Sequence, residues 1–149
     1  MIRFSLFLFI VFLIVCSCTN SSHPESRSAF DSTLAIHLEA IRTANLQALE
    51  PTVADSVTLI SPYGQRMSSK ETFMNLHKNW FKEKNWEWTA EILNSHRSDS
   101  LAYTLLKYRY TEKDSVGNSK AVRDNYLVLI FKNTAQGWQL IHDQNTKLP

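Results

Sequence analysis

The sequence predicts an α+β domain in which helices come first and a curved antiparallel sheet then wraps around them into a cone. Apolar residues recur at helical spacing only in the first half of the chain. After Lys84 they alternate with the period of a strand. The three glycines, Gly64, Gly117 and Gly137, all fall between such segments, where turns are needed.

Phe30, Leu34, Leu38 and Ile41, with His37 on the same stripe, predict a helix from about Ser28 to Ala48. Asn45 to Leu49 continues it as a short helical turn, and Pro51 starts or ends a turn. Val57 to Ile60 is β-branched and strand-like. Ser68 and Glu71 have the form of a capping box that opens a second helix with Phe73, Leu76 and Trp80 on one face. His77-Lys78 and Lys82-Glu83-Lys84 read as its solvated end. Trp86, Trp88, Ala90 and Ile92 alternate with polar residues in a half-buried strand. Leu101 to Tyr110, Ala121 to Lys132 and Trp138 to Thr146 are the remaining strands. The run Tyr126 to Phe131 is apolar on both faces and predicts a central strand covered on both sides.

The N-terminus reads as a targeting segment. Arg3 precedes an apolar run from Phe4 to Val15, too short for a membrane span. Ser17-Cys18 then has the form of a bacterial lipobox, with cleavage before Cys18 and acylation of it expected. The organisation is therefore a signal peptide over 1–17, a tether over 18–27 and one domain over 28–149. The expected location is a Gram-negative-type envelope, the domain held by its lipid and facing the periplasm. With Cys16 removed and Cys18 acylated, no thiol remains for a disulfide, and the core alone must hold the fold. Losing Arg3 lowers the formal charge from +2 to +1, which argues against a nucleic-acid partner.

Ala54-Asp55-Ser56-Val57-Thr58-Leu59-Ile60-Ser61-Pro62-Tyr63-Gly64-Gln65 resembles the strand that carries the catalytic aspartate of ketosteroid isomerases, members of the nuclear transport factor 2-like superfamily. Ala44 to Leu49 is similar to that family's small-polar helix turn. Gly137 to Thr146 resembles the closing strand of SnoaL-like proteins and calmodulin-kinase association domains. The resemblance implies a cystatin-like α+β barrel, commonly a homodimer through its sheet, and a superfamily in which fold does not fix function. Carried over residue by residue, the isomerase's proton-shuttling aspartate falls on Ser61 and its oxyanion-donating tyrosine on His37. Its second oxyanion donor, an acid, falls near Val128 or Leu129. All three depart, and a serine is no base near neutral pH without another base to activate it.

The candidate catalytic residues are therefore His37, Ser61 and His142. Strict alternation on the last strand groups Trp138, Leu140, His142 and Gln144 on one face, opposite Gln139, Ile141, Asp143 and Asn145. Both histidines turning inward would make a His37–Ser61–His142 cluster. Each also has a plain structural reading, His37 at the core edge and His142 within the sheet. Tyr63, Tyr103, Tyr126 and Gln144 are the candidate ligand-binding residues, although sheet tyrosines more often pack or pair across strands. The five histidines are scattered without metal-binding spacing, and no phosphate loop or nucleophile elbow occurs, so no metal or other cofactor is expected. The leading functional expectation is binding of a small, largely apolar molecule in the cone. The alternatives are an isomerase, dehydratase or cyclase using His37 or His142, and a non-catalytic dimerisation or interaction module.

Overall fold

The computed structural model describes residues 24–149. The signal segment and the acylation site expected at Cys18 lie outside the described residues. The elements are α1 (Pro24–Arg42), α2 (Leu46–Leu49), a 3-10 turn (Glu50–Thr52), β1 (Val53–Ile60), β2 (Arg66–Ser68), α3 (Lys70–Trp80), β3 (Trp86–Arg97), β4 (Leu101–Lys113), β5 (Ser119–Thr134) and β6 (Gly137–Lys147). Helix α1 begins at Pro24, inside the stretch expected as tether, with proline at its first position, where a missing N–H costs nothing.

The first helix ends earlier than periodicity suggests. Ala44 takes a left-handed φ of 54°, and its N–H reaches back to the Ile41 carbonyl while the Asn45 N–H reaches that of Ala40. This is a Schellman stop. Asn45 then turns round and caps α2, its side chain accepting from the Ala48 N–H. One residue pair thus ends one helix and begins the next. Helix α3 is capped by Ser69 rather than by Ser68, which is the last residue of β2. Ser69 accepts from the Thr72 N–H.

The sheet order is β2-β1-β6-β5-β4-β3. All neighbours are antiparallel except β1 and β6, which run parallel. The sheet is therefore mixed, where an antiparallel one was expected. Tight turns force antiparallel pairing only on strands that follow one another, and the whole remaining chain separates β1 from β6. Phe30, Leu34, His37 and Ile41 of α1 are buried in the cone. Phe30 meets Phe131 and Trp138 edge-on, at 5.7 and 5.3 Å between ring centroids.

The inner face of the sheet can be read from the register. Leu127, Leu129 and Phe131 of β5 are buried and stand opposite Leu106, Thr104 and Ala102 of β4, also buried. The outer face of β5 carries Tyr126, Val128 and Ile130, and nothing in the described chain packs over it: Tyr126 is 39% exposed. The central strand is thus covered on one side by its own chain, where the apolar run suggested both.

The strain at Ala44 gives a test. A left-handed residue with a Cβ costs about 1–2 kcal/mol, partly offset by the extra unfolded-state freedom of glycine. Ala44→Gly is expected to raise stability by about 0.5–1 kcal/mol in urea unfolding. No gain, or a loss, would contradict the left-handed cap.

Candidate functional site

Between the helices and the inner face of the sheet lies a cavity of about 350 Å³. Its walls are mostly apolar and aromatic, including Leu59, Trp80, Trp88, Tyr110 and Leu127. Trp80 and Trp86 stack at 4.8 Å and flank Tyr110. His37, Ser61 and Tyr63 line this space. His142, Tyr103, Tyr126 and Gln144 do not line it.

A bulge in β6 explains the division. Phe131 pairs with Leu140, but Ile130 pairs with His142, so Ile141 has no partner on β5. One extra residue reverses the side-chain alternation. Trp138 and Leu140 face inward before it, and Asp143 and Asn145 face inward after it, opposite Leu129 and Leu127. The faces expected from strict alternation are therefore exchanged beyond Ile141. His142 and Gln144 join Tyr103 and Tyr126 on the outer-face parity, where Tyr103 packs beside His96.

Asp143 is buried, and burial pushes its carboxyl up to about 7, against the pull of its hydrogen bond from Asn145. Asn145 Nδ2 donates to Asp143 Oδ1 at 2.6 Å and to the Ile60 carbonyl at 3.1 Å. Its Oδ1 accepts from the Tyr108 hydroxyl at 3.0 Å. Burial, and then the nearby Asp143, hold the Tyr108 phenol well above its ordinary range. Among the described residues the second Asp143 oxygen takes no hydrogen bond. Every fully enclosed side-chain polar atom among the described residues has a partner, so this oxygen opens onto the cavity. The Asn125 amide, 3% exposed and without a side-chain hydrogen bond, faces it by the same reasoning.

The helices supply two bare imidazole nitrogens. The Thr52 hydroxyl donates its single proton to the Leu49 carbonyl at 2.6 Å, so at 2.8 Å it must accept from His37 Nδ1. His37 is therefore the Nδ1–H tautomer, and its Nε2 is an acceptor on the cavity wall. Burial, then the neighbouring His77, lowers its pKa to about 3. His77 donates Nδ1–H to the Phe73 carbonyl at 2.8 Å, stacks on the Phe73 ring, and has its pKa lowered by burial to about 4. It belongs to the buried wall, where the sequence suggested a solvated helix end. Both rings are neutral at physiological pH.

Ser61 is occupied by structure. Its Oγ accepts from the N–H groups of Tyr63 and Gln65, and its backbone closes the turn that Gly64 completes with φ 80°. Leu129, one of the two positions near which the isomerase acid falls, stands directly opposite Asp143 on the same inner face. A carboxyl missing from one strand is present on the next. Asp143, Asn145, Asn125 and His77 were not candidates from sequence, and Tyr108 reads there only as one of several sheet tyrosines with a polar tip. Asn125 carried a usable signal, since it lies in step with Leu127, Leu129 and Phe131. Among the described residues no group of three or more potential ligands is placed to hold a metal ion.

Comparison with known proteins agrees with this architecture. Residues 31–145 match the profile of a SnoaL-like domain. No curated protein matches the sequence. Among solved structures, a conserved protein from Planctomyces limnophilus shares 24% identity at a TM-score of 0.69, covering 85% of this chain and 99% of its own. A ketosteroid isomerase-like protein from Erwinia carotovora atroseptica gives 17% and 0.69, with the same coverage. A nuclear transport factor 2-like superfamily protein from Salmonella enterica gives 12% and 0.68, covering 84% of this chain and 92% of its own.

The buried carboxyl makes a signed pH prediction. Its folded pKa lies above its unfolded value of 3.8, so its contribution to stability falls as pH rises from about 4 to about 7. At about 1.4 kcal/mol per unit, Asp143→Asn is expected to be more stable than the parent by roughly 4 kcal/mol at pH 8. The advantage should vanish near pH 4, with both followed by chemical denaturation. A difference independent of pH would exclude a raised carboxyl.

Proposed function

The chain belongs to the SnoaL-like domain family, and on that premise we propose that its cone binds a small, largely apolar molecule. The coarser statement, a cone-fold module of ligand-binding or enzymatic kind, rests on the family match and the fold. The finer one rests on a single observation. An apolar chamber holds unpaired polar atoms on Asp143, Asn125 and His37, all aimed inward. Keeping a carboxyl in such a place costs stability, and that cost is characteristic of functional sites. A bound molecule with an apolar body would accept from protonated Asp143 and donate to His37 Nε2.

A catalytic reading is favoured by one specific feature, the near-neutral Asp143 on the cavity wall. His37, at a pKa of about 3, is too weak a base at neutral pH. As carboxylate, Asp143 could take a proton from carbon next to a bound carbonyl, the electron pair moving onto the carbonyl oxygen. Its acid form would then return the proton.

The outer face invites a second copy. We propose a homodimer covering Tyr103, Tyr126, Val128 and Ile130, supported by the apolar strand its own chain leaves open. Arg3, the apolar run that follows it and Ser17-Cys18 support an acyl anchor in the envelope.

Phenylnaphthylamine, a neutral dye that brightens in apolar surroundings, tests the cavity. It is expected to bind and to quench the tryptophans, since Trp80 and Trp88 line the wall. Leu76 lies on the cavity wall and is 38% exposed, so Leu76→Trp fills the space without disturbing the core. That variant should weaken binding by about tenfold or more. Equal binding by parent and variant would place the dye elsewhere and remove the support for a cavity ligand.

A further inference from the structure

The inner face of β5 and β6 grades from apolar to charged toward the open end of the cavity. Along β5 the inward residues run Phe131, Leu129, Leu127, Asn125, Arg123. Along β6, beyond the bulge, they run Asp143, Asn145, Lys147. Lys147 stands directly opposite Asn125, so Arg123, two residues further along β5, is its diagonal neighbour. Diagonal Cβ atoms on one sheet face are about 7–8 Å apart. Two cations therefore share one face at the rim, and both line the cavity.

Among the described residues their charge is not balanced. Lys147 forms no ion pair among the described residues. Arg123 pairs with one Glu112 oxygen at 3.6 Å while Lys120 holds the other at 3.0 Å, so a single carboxylate serves two cations and leaves positive charge over. The Arg123 guanidinium lies over the Tyr110 ring at 5.6 Å, which fixes it beside the opening. Among the described residues the only carboxyl lining the cavity is Asp143, deep and pushed toward its neutral form. Like charges placed as neighbours on one sheet face repel and destabilise it. An anion between them relieves that repulsion with charge-assisted hydrogen bonds.

We propose that the cavity takes an amphipathic anion, its apolar body inside and its carboxylate, sulfonate or phosphate held between Arg123 and Lys147 at the rim. This deepens the cavity-binding reading and rests on it. The polarity is one-way: the deep chamber, with neutral imidazoles and a buried carboxyl, rejects the charged end, and the rim accepts it.

The test compares two dyes of nearly the same shape on the full chain. Anilinonaphthalene sulfonate carries the anion and phenylnaphthylamine lacks it. At low salt the sulfonate is expected to bind about tenfold more tightly. Half-molar salt should shrink that advantage by screening the rim charges. The Arg123→Gln/Lys147→Gln double variant, folded as judged by a cooperative melting curve, should abolish that advantage and bring the two affinities together. Equal affinity for both dyes, or an advantage that survives the double variant, overturns the anion site while the cavity reading stands. Failure of both dyes to bind overturns the cavity reading, and the anion site with it.

Discussion

Asn145 uses three of the four hydrogen-bonding positions of its amide, and they reach three strands. It donates to the end of β1 at Ile60 and to Asp143 on its own strand, and it accepts from Tyr108 on β4. These strands come together only because the sheet curves and β1 lies parallel to β6. The amide fixes Asp143 in its rotamer, aligns the Tyr108 hydroxyl and ties the turn strand to the closing strand. Replacing any partner with an apolar group would leave a buried polar atom unpaired, at a cost of about 1–3 kcal/mol. The polar part of the cavity thus behaves as one unit.

That unit exists because of one extra residue. Without the bulge at Ile141, His142 and Gln144 would face the cone, and Asp143 and Asn145 would face outward. Bulges gather near functional sites because they re-aim a side chain without rebuilding the sheet. Here the re-aimed group is a carboxyl in an apolar chamber. Desolvation acts in opposite senses on the groups there, raising Asp143 and lowering His37 and His77. The interior is driven toward neutrality from both sides, and the charge of the site collects at its rim.

Much of the fold was legible in the sequence. Helical spacing followed by strand alternation, with every glycine in a turn, gave helices before a sheet, and the order of three short motifs gave the family. Local geometry was less legible. The stop at Ala44 has no glycine to announce it, and a helix stripe reads through it until hydrogen bonds to Ala40 and Ile41 are seen. The parallel pairing of β1 with β6 is a long-range contact that no local pattern encodes. For the site, His37 stood out because it shares the apolar stripe of the first helix, and Tyr63 and Ser61 stood out through the turn motif. Asp143 did not, because alternation assigns it outward. Its inward placement depends on a single unpaired residue, and nothing in Leu140-Ile141-His142-Asp143 marks Ile141 as that residue. His77 was hidden by the lysine that follows it.

The inward, desolvated carboxyl is the central claim, and it is directly observable. Carbon-13 NMR of the Asp143 side-chain carboxyl, assigned by its loss in Asp143→Asn and followed across pH, reports its protonation without reference to activity or unfolding. A midpoint near 7 is the predicted result. A midpoint near 4, the value of an exposed aspartate, would mean that Asp143 meets water and that the chamber described here is not the one the protein forms.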